Sequence, residues 1–331
     1  MEEHTIVGAD ERLARVVTVI NGKGGVGKTS IAANVTGQLA KSGYNVLAVD
    51  LDLSGNLSLD LGYVDDPDND NGRGTAHALY DGSALTVIKS VRPNLDVVPG
   101  GRHLELAAGL ANMAMATEMP GGSVPMAFAA KLAEIADGYD LVFIDGAPGN
   151  PVLQEMALAA ARYILIPTKT DPAGWEGLRM IGPRVRKARA DNPRLTYLGA
   201  VLFGHNAQAT SILRNTRSRL DEVADSVPLF ESFVRHSEGT AQDCRMRGQL
   251  AHELALDAGE RKQQAFAILR SRRQAGRHRQ TPNGGGADVL QMPPALSQAS
   301  SSLAGDYQRL SAEILQRISS HEQTTPLTGE R

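Results

Sequence analysis

The chain predicts an α/β fold: a doubly wound, mainly parallel sheet with helices on both faces, built around a phosphate-binding loop. Three observations point there. Short apolar runs alternate with helical stretches, the pattern of a sheet wound by crossover helices. The first apolar run enters a helix through a glycine-rich loop, as a phosphate cradle requires. Aromatics make up only 4% of the residues while glycine and alanine are plentiful, which suits helices packed closely on a parallel sheet.

Taken in order, Val16-Val17-Thr18-Val19-Ile20 reads as the first strand. The loop Gly22-Lys23-Gly24-Gly25-Val26-Gly27 follows, then Lys28-Thr29-Ser30 opens a helix over 28–42. Its glycines let backbone N–H groups turn inward around phosphates, and the helix N-terminus adds partial positive charge. Lys28 would reach the β- and γ-phosphates and the Thr29 hydroxyl would help complete a Mg²⁺ shell. Further strands are expected at Asn45-Val46-Leu47-Ala48-Val49-Asp50, more weakly at Leu95-Asp96-Val97-Val98, and at 139–145, 163–167 and 197–203. Helical patterns cover 125–137, 152–161, 173–190 and 209–224. Ligands of such sheets sit at the carboxyl ends of the strands, where Asp50, Asp52 and Asp145 fall.

The loop form Lys-Gly-Gly-x-Gly-Lys-Thr resembles the deviant Walker A motif of the ParA/MinD superfamily of dimerising ATPases. The resemblance implies that Lys23 crosses a dimer interface to the nucleotide held by the other subunit, and that residues 22–30 surround ATP. Asp50-Leu51-Asp52-Leu53-Ser54-Gly55-Asn56 resembles the second motif, with Leu53 and Ser54 in place of the usual Pro-Gln. Asp52 thereby takes the role of the carboxylate that positions the attacking water. Asp145-Gly146-Ala147-Pro148 resembles the Walker B and switch segment, in which Asp145 would support Mg²⁺ together with Thr29 and Asp52. Pro167-Thr168-Lys169 resembles the loop flanking the nucleotide. His205 and Asn206 follow the strand near the base, where contact with the base and a plain surface loop both fit them.

Composition limits the rest. A net charge of −3 means any nucleic-acid surface must be local. The resemblance implies sequence-independent DNA binding by the ATP dimer, with Arg214, Arg217 and Arg219 and then Arg235, Arg245 and Arg247 as phosphate contacts. A third basic group runs from Arg184 to Arg194. The single Cys244 excludes a disulfide framework or a CxxC cluster and reads as a small buried hydrophobe. The N-terminus carries no secretory signal, and no apolar run spans a membrane, so a cytoplasmic, nucleoid-associated protein is expected.

Five segments follow: a tail over 1–14, the P-loop ATPase domain over 15–270, a Gln/Gly/Pro/Ser/Arg-rich insertion over 271–302, a packing helix over 303–320 and a tail over 321–331. The acidic stretch 65–70 reads as a mobile surface loop. The expected function is a slow, partner-stimulated ATP hydrolase that forms a homodimer with ATP and partitions plasmid or chromosome DNA with a ParB-like protein. A ParA-like positioner of a protein cargo shares every motif. A MinD-like membrane regulator would need a lysine-rich amphipathic C-terminal helix; Leu303, Tyr307, Leu310, Ile314 and Ile318 do follow helical spacing, but their face is bland in charge and reads as core packing.

Overall fold

The computed structural model describes residues 10–117, 123–205, 227–260, 263 and 300–324. Its centre is an eight-stranded sheet: β1 (Val16–Val19), β2 (Val46–Leu51), β3 (Ile88–Arg92), β4 (Leu95–Val98), β5 (Leu141–Gly146), β6 (Tyr163–Thr168), β7 (Thr196–His205) and β8 (Leu229–Arg235). The spatial order is β3-β4-β2-β5-β1-β6-β7-β8. Every pairing is parallel except β3 with β4. The chain enters mid-sheet at β1 and winds outward in both directions, so the doubly wound expectation holds.

The helices are α1 (Lys28–Lys41), α2 (Asn56–Leu61), α3 (Arg73–Asp81), α4 (Leu104–Thr117), α5 (Val124–Ala136), α6 (Pro151–Ala160), α7 (Pro172–Asp191), α8 (Glu238–Arg247) and α9 (Ser300–Thr324), with 251–260 also helical. Strands β1, β2, β5 and β6 are buried along their whole length, as apolar runs without alternation require when helices cover both faces. One core gathers Phe128, Leu132, Leu153, Trp175 and Ile181 from α5, α6 and α7. The other gathers Ile31, Val35, Leu39, Leu254, Leu310 and Ile314 from α1, 251–260 and α9.

Strands β3 and β8, at the two edges, were not expected from the sequence. Only Ile88 of β3 is buried, and a register shift breaks its pairing with β4, so no apolar run advertises it. The β8 edge is covered by α9. The Glu313 carboxylate accepts from the Glu231 and Ser232 amides, and Arg317 donates to the Leu198 and Leu229 carbonyls. Leu303, Tyr307, Leu310, Ile314 and Ile318 all pack into the core, which is why this stripe carries no basic face. Cys244 is buried, and burial pushes its thiol up to about 12. The 65–70 stretch is a surface turn with local side-chain bonds: Asn69 donates to the Val64 carbonyl, and Asp70 accepts from the Gly72 and Gly74 amides.

Candidate active site

The loop over 21–27 leaves the carboxyl end of β1 and turns straight into α1. Gly27 occupies the N-cap of α1 at φ +93°, and a Cβ there would also lie 2.4 Å from the Phe203 ring. Gly22 is closed in from the other side: its Cβ would meet that of Met180 on α7 at 2.7 Å. Backbone without side chains is therefore required at both ends of the loop, which leaves its N–H groups and the α1 N-terminus to meet an anion. The Lys28 side chain lies back across this loop, its Nζ donating to the Lys23 carbonyl at 2.8 Å. Burial lowers the Lys28 pKa, against the pull of Asp145 and Asp52.

Asp50 and Asp145 are register partners on β2 and β5, and both are buried. Burial raises Asp50 well above the carboxylate range and pushes Asp145 up to about 7, although the Thr29 hydroxyl and Lys28 lower it. Neither Asp145 oxygen has a partner of regular hydrogen-bond geometry, and one Asp50 oxygen is likewise unmatched. The other Asp50 oxygen accepts from the Asp52 amide at 2.8 Å. Buried carboxylate oxygens left unmatched are costly, and a hard cation with its water shell suits them. The oxygen donors Thr29, Asp52 and Asp145 thus fit Mg²⁺. Asp52 accepts from the Ser54 amide at 2.9 Å, so it shapes its own turn as well as adjoining the site.

The raised Asp145 pKa makes a testable claim on the nucleotide-free protein. The folded state retains a proton that the unfolded chain releases, so this contribution to stability is full below about pH 4 and is lost as pH rises towards 7. Asp145→Asn carries no charge to bury. It should melt with the wild type at about pH 4 and above it at about pH 8, by an amount on the order of 2 kcal/mol, or several degrees. Differential scanning calorimetry at both values checks this; a variant less stable at the higher pH would contradict it.

Asn21, which the sequence reading passed over, joins two loops. Its Oδ1 accepts from the Lys23 amide at 2.9 Å, and its Nδ2 donates to the Pro167 carbonyl at 2.8 Å. Its signal in the sequence was a polar residue closing the apolar run directly before the first glycine; the fold buries it fully. Lys23 itself lies on the outer side of the loop, paired with Glu176 of α7 at 2.9 Å. The Lys23 side chain is 38% exposed and that of Glu176 61%, so solvent screens the pair and weakens it.

Two of the arginines expected at DNA are engaged within the chain. Arg235 forms an ion pair with Asp306, whose side chain is fully buried, and Arg309 meets the same carboxylate. Arg245 pairs at 2.9 Å with Asp60, itself buried behind α1. Each arginine thus meets a buried carboxylate within the chain. Arg247 is exposed on the last turn of α8. Arg214, Arg217, Arg219 and Asn206 lie outside the described residues. The group from Arg184 to Arg194 is internally engaged, with Lys187 on Glu155, Arg189 on the Leu195 carbonyl and Arg194 on Glu11.

A glycine-rich loop, with a buried lysine laid across it and a helix N-terminus at its end, suits a polyphosphate; this places the protein among the P-loop NTPases. The family described as an AAA domain, AAA_31, matches residues 14–197, more than half of the chain. The chain belongs to that family, within the ParA/MinD superfamily of P-loop ATPases. It is 30% identical over 224 residues to the chromosome partitioning protein ParA of Caulobacter vibrioides, covering 64% of this chain and 79% of that one. Among solved structures, cobyrinic acid a,c-diamide synthase of Mycobacterium smegmatis, with bound ADP and magnesium, superposes with a TM-score of 0.58 at 24% identity, covering 71% of this chain and 92% of its own. A putative plasmid partition protein of Borrelia burgdorferi bound to AMPPNP gives 0.57 at 17% identity, covering 93% and 99%. Likeness at those identities shows the fold alone. Among the described residues, no helix is long and apolar enough to cross a membrane.

Proposed function

We propose that this chain is a ParA-type ATPase that dimerises with ATP, binds DNA without sequence preference, and partitions plasmid or chromosome DNA with a ParB-like partner. The observation that carries the reading is the division of labour between two lysines. Lys28 is buried and already lies across the cradle, so one nucleotide is served within the chain. Lys23 faces outward in a weak pair, free to meet the nucleotide of a second subunit. In that dimer Lys28 holds the β- and γ-phosphates, and Lys23 adds charge from across the interface, as an arginine finger does. Asp52 orients the water that attacks the γ-phosphate. Thr29, Asp52 and Asp145 would hold Mg²⁺, which when bound neutralises phosphate charge. Hydrolysis is slow until the partner stimulates it, and the protein works in the cytoplasm on nucleoid DNA.

The test is DNA retention by the full chain with MgATP, MgADP or no nucleotide, using unrelated duplexes. Binding should need ATP, ignore sequence and fall with salt, with a slope of roughly −0.9 in log affinity against log salt for each phosphate contacted. Arg247→Ala should lower the slope by about one such contact while leaving ATP binding unchanged. Arg235→Ala should instead lower the melting temperature, because buried Asp306 loses one of its two arginine partners and keeps Arg309. DNA binding in no nucleotide state would favour the protein-cargo positioner, and ATP-dependent flotation on anionic vesicles would favour the MinD-like regulator.

A further inference from the structure

Past Gly146, the last residue of β5, and the buried Ala147, the segment that follows Asp145 has few backbone bonds. Residues 146–150 run Gly-Ala-Pro-Gly-Asn before α6 begins, with Gly149 at φ +72° and one local backbone bond, from the Asn150 amide to the Pro148 carbonyl. Asn150 caps α6 by accepting from the Leu153 amide. Among the described residues, one side chain hydrogen-bonds back to the start of this segment. Gln154, one turn into α6 and fully buried, donates from Nε2 to the Ala147 carbonyl at 2.8 Å. Its Oε1 accepts from Arg184 Nη1 on α7.

An amide at this depth is an expensive choice. The buried face of α6 is otherwise apolar, with Leu153, Met156, Ala157 and Ala160, and an aliphatic side chain of equal length would fill the space without polar groups to satisfy. Both ends of the amide are matched, one by the loop and one by a charged group. Arg184 belongs to the helix whose Glu176 pairs with Lys23 and whose Gly177 carbonyl receives the Gly22 amide. The chain of contacts therefore runs from α7, which flanks the phosphate loop, through Arg184 and Gln154 to the carbonyl two residues after Asp145.

We propose that Gln154, anchored by Arg184, is a positioning residue that sets the conformation of the 146–150 loop and through it the placement of Asp145 for hydrolysis. It touches no nucleotide and acts only through the Ala147 carbonyl. A glycine- and proline-rich segment changes shape readily when a γ-phosphate leaves, and the Gln154 bond sets how tightly the starting shape is held. The hydrolysis arm of this inference rests on the ATPase reading above; the conformational arm does not.

Three variants of the full chain test it. Gln154→Met keeps length and removes both polar ends. Gln154→Glu keeps an acceptor for Arg184 but turns an oxygen towards the Ala147 carbonyl. Arg184→Met leaves Gln154 without its anchor. Hydrogen exchange followed by mass spectrometry should show the 146–150 amides exchanging about tenfold faster in each variant, with the β1 and β6 peptides unchanged. ATP turnover should fall about tenfold in kcat with KM within about twofold of wild type. The Gln154→Met/Arg184→Met double variant should be no worse than either single one, because the two residues act as a unit.

A lower melting temperature with wild-type loop exchange and wild-type kcat would overturn the inference and leave Gln154 a purely structural amide. Additive losses in the double variant would overturn the Arg184 anchor. If the wild-type chain turns over no ATP, the proposed function fails, and loop exchange alone decides for or against Gln154.

Discussion

Lys28→Ala should bind MgATP at least about 100-fold more weakly than wild type, a loss of roughly 3 kcal/mol or more. The amine is buried and preplaced over the loop through its bond to the Lys23 carbonyl. Truncation leaves the phosphates facing backbone dipoles with no cation beside them. Lys23 is no substitute, since it points outward to Glu176. Removing Lys28 also relieves burial of a charge, so the nucleotide-free variant should stay folded; the lone Trp175, held in the core by α7, reports this by its fluorescence. Titration with a fluorescent ATP analogue measures the loss. Affinity close to wild type would remove the basis for reading residues 22–29 as a phosphate site.

The second large effect belongs to Asp52. Asp52→Ala should retain ATP affinity yet lose at least about 100-fold in turnover, the usual scale for a group that handles the attacking water. The Ser54 amide would lose its acceptor, at a cost of about 1 kcal/mol to the turn. Asp52→Asn keeps that acceptor, so both variants failing in turnover while remaining folded isolates the carboxylate. With hydrolysis blocked, the ATP-bound dimer should accumulate and be visible by light scattering. Adding Lys23→Ala to Asp52→Ala should return the chain to a monomer with ATP still bound. A dimer that persists without Lys23 would show that this lysine does not act across the interface.

The cradle, Lys28, Thr29 and the strand-end acids were readable because their chemistry is written in contiguous residues. A glycine loop that closes on Lys-Thr between an apolar strand and a helix is a local phosphate-cradle pattern, and β1, α1 and β2 begin within a residue of where the apolar runs place them. Strands β2, β5 and β6 were readable for the same reason: burial on both faces leaves unbroken apolar runs. At the edges that signal disappears, and β3, with Lys89 and Ser90 facing solvent, reads as a loop.

The arginines show the opposite case. From the sequence, Arg235 and Arg245 belong to a basic cluster suited to DNA. In the fold each meets a buried acid far away in the chain, Asp306 for one and Asp60 for the other. Gln154 and Arg184, thirty residues apart, are unremarkable in sequence and joined only when α6 and α7 pack. The sequence by itself determined the parallel sheet, the phosphate loop and the acids at its rim, since strand periodicity and loop geometry are local properties. Only the tertiary structure decided which charges are consumed inside the molecule and which face outward. A long side chain can satisfy its charge with any group that packing brings within reach, and separation along the chain does not limit that choice.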